Sequence, residues 1–289
     1  MNNILVTGAN GLLGSALVSY LRAQGHCVTG CSRRQGERPA DLTDFPQAKS
    51  VLNSIRPEII VNLAANTNVD ECERRPQLAY LANVRIVEHL AQWITTESPS
   101  THLIQLSTDQ VYDGAGPHRE DDITLVNHYG FSKYAGELAA RTVPATILRT
   151  NFLGRSRCPE RASLSDWLVQ SLTQGRAITV FDDVYFSPLS INRLVALIAV
   201  IMAKRVPGIF NLGSSGGMSK ADCAFALAEI LGLPTATMQR GPSTAASRHA
   251  RRATDMRMDS SRFQSQFGLT LPGLKEELLT LRTDYASAC

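Results

Sequence analysis

Short apolar runs and helical repeats alternate along the first half of the chain. Asn3–Thr7 is apolar and β-branched and stops at Gly8. Similar runs recur at His26–Cys31, Ile59–Leu63, Leu103–Ser107 and Ala145–Arg149. Continuous apolar runs of this length read as strands buried on both faces. Between them, apolar residues return every three or four positions, which is helical spacing. This predicts helices at Leu12–Ala23, stopped by Gly25, at Leu42–Ile55, ending before Pro57, at Arg75–Trp93 and at Tyr129–Arg141. Strands alternating with helices over residues 1–150 predict an α/β fold with a parallel sheet covered on both faces. Right-handed crossovers make it a Rossmann-type doubly wound sheet.

After residue 154 the rhythm changes. Helical stretches dominate, at Leu164–Gln174, Ile191–Ala203, Ser219–Leu231 and Leu274–Thr283, with short strands at Ile178–Phe181 and Ile209–Leu212. Thr235–Met258 is rich in Arg, Ser and Ala, carries a Gly-Pro break, and reads as a loop or lid. The expected organisation is a dinucleotide-binding domain over 1–153 and a smaller α/β substrate lobe over 154–289. One strand and one helix of the second part can return to the first. Open α/β sheets bind ligands at the carboxyl ends of their strands, which places the site between the two lobes.

Composition narrows the function. A net charge of +3 on 289 residues gives no footprint for nucleic acid. The longest apolar run, Leu194–Ala203, is about half a membrane span. The six cysteines form no C-x-x-C pair and no zinc spacing, so no metal site is expected. Cys27 and Cys31 sit in an apolar run and read as small core residues. No secretory leader is legible, and a reduced, cytoplasmic protein is expected. Only five of the 29 basic residues are lysines, which makes Lys133 a scarce residue type.

Four motifs carry chemistry. Gly8-Ala9-Asn10-Gly11-Leu12-Leu13-Gly14 follows the first strand and opens a helix. Glycines there allow a tight turn and close approach of backbone to a pyrophosphate, which the helix N-terminus attracts. The second strand ends in Ser32-Arg33-Arg34 with no acid to hold a ribose 2′-hydroxyl. Arginine there pairs with a 2′-phosphate instead. The expected cofactor is therefore NADP(H), with NAD(H) the alternative. Asp41 and Leu42 follow at a distance suited to flanking an adenine. Tyr129 and Lys133 stand at i and i+4 on one helix face. An ammonium near a phenol stabilises the phenolate, and the pair suits proton transfer to a substrate oxygen. Thr108 and Asp109 follow the fourth strand, where a hydroxyl can orient a carbonyl and a carboxyl can relay a proton.

Together these motifs, in this order, resemble those of the extended short-chain dehydrogenase/reductases. Arg56–Asn62, Ala64–Asp70, Tyr129–Glu137, Leu148-Arg149-Thr150 and Gly208–Leu212 make the chain most similar to the dTDP-4-dehydrorhamnose reductase family. The resemblance implies hydride delivery to C4 of a nucleotide-linked 4-keto-6-deoxysugar. Tyr129 would protonate the alkoxide, Lys133 would hold the nicotinamide ribose, and Thr108 would orient the carbonyl. Cofactor contacts would come from Gly8, Asn10, Gly11, Leu12, Leu13, Ser32, Arg33, Arg34, Asp41, Leu42, Leu63, Ala64, Ala65, Thr67 and Ser107. Val69, Asp109, Gln110, Asn151, Phe152 and Arg252 would face the sugar. Two positions depart from the family, Gln110 for a usual tyrosine and Phe152 for a usual tryptophan, so the sugar or nucleotide can differ. Ser15 stands where some relatives place an acid for a metal-bridged dimer. A homodimer without a bridging metal remains open.

Two other readings share the cofactor. A nucleotide-sugar epimerase or dehydratase keeps Tyr and Lys but retains NAD. A dehydratase usually wants an acid pair where only Asp109 is present. A non-catalytic NADP-binding subunit, similar to the methionine adenosyltransferase beta branch, would not need Thr108, Tyr129 and Lys133 intact.

Overall fold

The computed structural model describes residues 1–34, 36–158, 161–245 and 249–286. A seven-stranded parallel sheet forms its centre. Six of its strands come from the first half: β1 (Asn3–Thr7), β2 (Cys27–Ser32), β3 (Arg38–Pro39), β4 (Ile59–Asn62), β5 (His102–Thr108) and β6 (Ala145–Thr150). The seventh, Gly208–Leu212, pairs with β6, giving the order Gly208–Leu212, β6, β5, β4, β1, β2, β3. The order runs outward from β1 in both directions, so a crevice opens beyond the carboxyl ends of β1 and β4. The edge strand β3 is only two residues long and ends in Pro39, a residue that an edge tolerates.

Helices cover both faces. Below the sheet, α1 (Leu12–Ala23) packs with Ile191–Lys204 through Leu13, Leu17, Leu21, Leu194 and Ile198. On the other face, α2 (Phe45–Ile55) and α5 (Ile86–Glu97) bury Leu52, Leu90 and Trp93 against Leu5 and Ile60. Trp93 is fully buried and its indole N–H donates to Asn53 Oδ1 at 2.8 Å. Truncating it to alanine would cost about 3–5 kcal/mol.

The helix expected at Arg75–Trp93 is built differently. Asn68 caps an additional short helix, α3 (Val69–Arg74), by accepting from Glu71 N–H. Pro76 then opens α4 (Pro76–Tyr80), because proline suits a first helical turn but not an interior. A π turn at Leu81–Arg85 leads on into α5. The expected loop Thr235–Met258 contains a strand, Met238–Gly241, parallel to Ile178–Phe181; its residues 246–248 lie outside the described set. Cys31 is buried as expected, but Cys27 is exposed, because it opens β2 at the strand's outer end.

The second lobe has its own core, with Leu168, Leu172, Val180, Phe186, Leu227, Leu278 and Leu281. Glu277 ties it to the sheet layer: fully buried, it accepts from Ser190 N–H at 2.7 Å and from Arg193 Nε at 3.1 Å. Among the described residues, no helix is long and apolar enough to cross a membrane.

Candidate active site at the carboxyl end of the sheet

The glycine turn has the shape its sequence calls for. Gly8 lies at φ +64°, and a Cβ there would stand 2.8 Å from the Leu63 carbonyl. A Cβ on Gly14 would stand 2.2 Å from Gly8 O. Only glycine lets β1, β4 and α1 close this tightly. Thr7 locks the turn from beneath, its Oγ1 donating to Asn62 Oδ1 and accepting from Leu63 and Ala64 N–H at 3.2 Å each. Most helices here carry a side-chain cap, for example Asp44, Asn127 and Ser219, whereas Gly11 leaves the first turn of α1 without one. The backbone donors of Leu12 and Leu13 thus open α1 in the way an anion site requires. Leu13 enters only by its backbone, because its side chain lies in the core. Asn10 donates to Ser32 Oγ at 3.1 Å, joining the turn to the end of β2. Leu63, Ala64 and Ala65 are partly exposed beside Gly8, and Thr67 is exposed beyond them. These residues form a cradle with the shape and donors for a dinucleotide.

Arg33 and Arg34 stand exposed past the end of β2. Glu37 is the nearby acid that the strand pattern did not single out. Its carboxylate is taken up by Gly30 N–H at 3.1 Å and by Arg22, and these hold it below the usual carboxylate range. It therefore does not supply an acid at the strand end. Asp41 Oδ1 accepts from Thr43 N–H and Oγ1, closing the turn before α2. Leu42 is buried in the core, and its carbonyl meets His89 Nδ1 at 2.9 Å.

The reactive cluster is assembled by close approach of α6 (His128–Ala140). A Cβ on Gly130 would lie 2.5 Å from Gln110 O, and one on Gly136 would lie 2.3 Å from Asn83 O. These two glycines let α6 sink onto the turn after β5 and onto the π turn. Asn127 caps α6 by accepting from Gly130 N–H at 2.8 Å. Tyr129 and Lys133 consequently face inward, each 6% exposed. Tyr129 packs among Val69, Cys72, Ala79 and Ala250. Burial drives its ionisation well above the ordinary phenol range, with the Thr108 hydroxyl opposing.

Lys133 departs from the expectation that it lowers the Tyr129 pKa. Its ammonium donates to Leu106 O at 2.7 Å, and burial pushes it down to about 8, against the pull of Glu137. The groups acting on Tyr129 are Thr108, Asp109 and Cys72. The ammonium is directed at the sheet rather than at the phenol.

Asp109 is 1% exposed. It accepts from Asn151 Nδ2 at 2.7 Å and from Thr108 Oγ1 at 3.3 Å. Burial raises it to about 6, with Asn151 and Lys220 opposing. Gln110 Oε1 is buried beside this turn with no hydrogen-bond partner. Phe152 packs partly against the core under β6. Arg252 is tied down by Asp70, at 2.8 Å, and Asp70 also accepts from His249 and Ala250 N–H. The 249–252 segment thereby roofs α3 and Tyr129. A cavity of about 300 Å³ opens in the second lobe, lined by Leu153, Trp167, Thr179, Phe181, Lys220 and Cys223 among others.

Ser107 does not face the cofactor cradle with its hydroxyl, which goes to Glu137. Glu137 is fully buried and takes a forked contact from Arg149, with Nη2 at 2.6 Å and Nε at 2.9 Å. Arg149 continues to Tyr112 Oη at 2.8 Å, and Tyr112 to Asn211 Oδ1 at 2.6 Å. Asn211 returns to His118 O and Glu120 Oε1. This buried polar chain fixes the floor of the site. The sequence marked Glu137, Arg149 and Asn211 by resemblance but offered no spacing that would join them.

Residues 1–286 match the family profile of the RmlD substrate binding domain. The chain is 34% identical over 272 residues to the dTDP-4-dehydrorhamnose reductase of Streptomyces griseus, covering 90% of this chain and 86% of that one. It is 29% identical to the probable low-salt glycan biosynthesis reductase Agl14 of Haloferax volcanii, covering 98% and 99%. The fold matches the crystal structure of dTDP-4-dehydrorhamnose reductase from Bacillus anthracis in complex with NADP, with TM-score 0.88, 23% identity, and coverage of 97% and 98%. The chain therefore belongs to the RmlD substrate-binding domain family of the extended short-chain dehydrogenase/reductases.

Proposed function

We propose that this protein is an NADPH-dependent reductase of a nucleotide-activated 4-keto-6-deoxysugar. The observation that carries the reading is the burial of Tyr129 and Lys133 on one face of α6, with Thr108 at the carboxyl end of β5 in the sheet that also carries the glycine turn, under a roof that leaves Tyr129 nearly excluded from water. Residues 1–153 with the strand Gly208–Leu212 act as the cofactor half, and the remainder as the substrate half. Gly8, Gly11 and the first turn of α1 take the pyrophosphate, and Arg33 with Arg34 takes a 2′-phosphate. The bound cofactor supplies the hydride. Thr108 orients the ketone oxygen, and Tyr129 gives it a proton as charge develops there, general acid catalysis worth about 10²–10⁴-fold. Lys133 would hold the nicotinamide ribose of the bound cofactor. Asn151, Gln110 and Phe152 border the sugar.

The test is NADPH oxidation followed by absorbance, with a dTDP-4-keto-6-deoxysugar generated in situ. Consumption that Tyr129→Phe abolishes, with NADPH binding retained, supports the reading. No consumption by the wild type with any nucleotide ketosugar overturns it.

A further inference from the structure

Resting on that reading, we propose that residues 249–252 form a flap over Tyr129, latched by Asp70, and that the ketosugar reaches the phenol only when this flap lifts. The need for a moving part comes from burial. Thr108, Tyr129 and Lys133 are 5%, 6% and 6% exposed. A ketone that takes a proton from Tyr129 must touch the phenol oxygen, with a nicotinamide against its other side. Two rings cannot reach groups so covered without displacing part of the cover.

The cover of Tyr129 has a fixed side and a loose one. Val69 and Cys72 belong to α3 and Ala79 to α4. Asn68 caps α3, and the chain before it is tied down by Asn83, whose Nδ2 donates to Asn66 O at 3.1 Å and to Ser132 Oγ at 2.8 Å. Ala250 comes instead from a segment outside any helix or strand.

The attachments of that segment divide at Ala253. From there onward the chain is built in. Ala253 and Met256 lie in the core of the second lobe. Tyr185 N–H donates to Thr254 O at 2.7 Å, Met256 N–H to Tyr185 O at 3.0 Å, and His118 N–H to Arg257 O at 2.8 Å. Before Ala253 the bonding changes in kind. Among the described residues, no backbone-to-backbone hydrogen bond reaches residues 249–252. Side chains of the cofactor half hold them instead. Asp70 Oδ1 accepts from His249 N–H at 3.2 Å and from Ala250 N–H at 3.0 Å, and its Oδ2 accepts from Arg252 Nη2 at 2.8 Å. Asn127 Nδ2 donates to Arg251 O at 2.9 Å, and Arg251 Nη2 donates to Asp113 Oδ2 at 3.0 Å.

A segment held by polar side-chain contacts, with Ala250 as its one buried residue, belongs to the part of a fold that opens most easily. The Arg251 guanidinium is 72% exposed, so its pair with Asp113 contributes little. Asp70 supplies the three charge-assisted contacts and is therefore the latch. It stands in the first turn of α3, so one helix carries both the latch and the fixed wall beside Tyr129. Closing again over the ketosugar shuts water away from the phenol during proton transfer.

The first test needs no substrate. Cys72 is fully buried in the cluster that holds Tyr129 and Ala250, and it serves as the reporter. Cys223, buried in the second lobe's core, is the control. The full chain is treated with a maleimide, and labelling of each cysteine is followed by mass spectrometry in wild type, Asp70→Ala and Asp70→Asn. Loss of the charge-assisted contacts should speed Cys72 labelling roughly 10- to 100-fold in Asp70→Ala. The gain should be smaller in Asp70→Asn, which keeps an acceptor for the backbone. Cys223 should stay near its wild-type rate, and hydrogen exchange should rise at Ala250 but not in α6. Unchanged Cys72 labelling in Asp70→Ala overturns the latch. A rise shared equally by Cys223 and α6 also overturns it, because the whole fold would then be loosening. The second test joins the flap to the chemistry. NADPH oxidation with the in situ ketosugar should fall in step with Cys72 labelling, because the adduct fills the space beside Tyr129. Fully labelled enzyme that runs at the unlabelled rate overturns the gate. If the wild type reduces no ketosugar, the functional reading fails separately, and labelling alone decides whether the flap opens.

Discussion

Two buried carboxyls stand near the carboxyl end of the central sheet, and their surroundings differ in kind. Glu137 receives a guanidinium fork, a serine hydroxyl and the rest of a polar chain reaching Asn211. Asp109 receives one amide and one weakly placed hydroxyl. Both are shut away from water, and burial pushes Asp109 toward protonation, to about 6. Arg149 is correspondingly driven above its ordinary range by Glu137. Full pairing turns a buried charge into architecture, and partial pairing leaves a carboxyl that favours its neutral form. The site uses one of each, with the rigid chain as floor and Asp109 in the turn after β5 above it.

The largest expected effect is at Tyr129, the phenol beside these carboxyls. Tyr129→Phe removes the hydroxyl but keeps the ring among Val69, Cys72 and Ala250. We expect kcat to fall about 10²–10⁴-fold with NADPH affinity and thermal stability unchanged. A fall in stability instead would mean that the phenol, like Glu137, is structural.

The floor is tested by Glu137→Gln. Arg149 would then lie buried with its charge uncompensated, and breaking a buried pair from one side costs about 3–5 kcal/mol. Chemical denaturation should show that loss at neutral pH. A double variant, Glu137→Leu with Arg149→Met, should recover part of it, because no lone charge remains. If the single change costs under 1 kcal/mol, the forked pair is not what holds the floor.

Asp109→Asn should act in the opposite direction on stability. The folded state raises this carboxyl from 3.8 to about 6, so it binds the proton more tightly than the unfolded chain. Its contribution is complete below the unfolded value and is lost as pH rises through the folded one. Above that window the buried charge costs of order 3 kcal/mol. The asparagine variant should therefore gain on the wild type between pH 4 and 7, measured by denaturation at each pH. A parallel pH dependence in both proteins would place the titrating group elsewhere.

How much of this was legible in the sequence follows from the same physics. Strand runs and the glycine turn were legible because burial and φ sign leave marks on neighbouring residues. Tyr129 and Lys133 were legible because helical spacing puts them on one face. That the ammonium turns to Leu106 O was not, because it depends on a carbonyl 27 residues away. Nor was the partner of the Ser107 hydroxyl, because Glu137 is a non-local neighbour. The short helix α3 was missed although Asn68 and Glu71 carry a capping spacing, because Pro76 drew the helix start to itself. Residues 208–212 gave a strand by pattern, but only pairing shows that it extends the main sheet.

The smallest expected effect belongs to the exposed charges, and it sharpens what burial contributes. Arg33 is as fully charged as Arg149 but lies in water at the end of β2. It gains little from the fold, so Arg33→Ala should leave stability within about 0.5 kcal/mol of wild type. Its value should emerge only when a 2′-phosphate arrives. A charge-assisted hydrogen bond is worth about 1.5–3 kcal/mol, so NADPH should bind roughly 10- to 100-fold more weakly while NADH changes little. Calorimetric titration with both cofactors gives the ratio. Equal losses for the two would mean that Arg33 contacts the shared part of the dinucleotide. Selectivity would then have to come from Arg34 or from Ser32, whose hydroxyl Asn10 already holds.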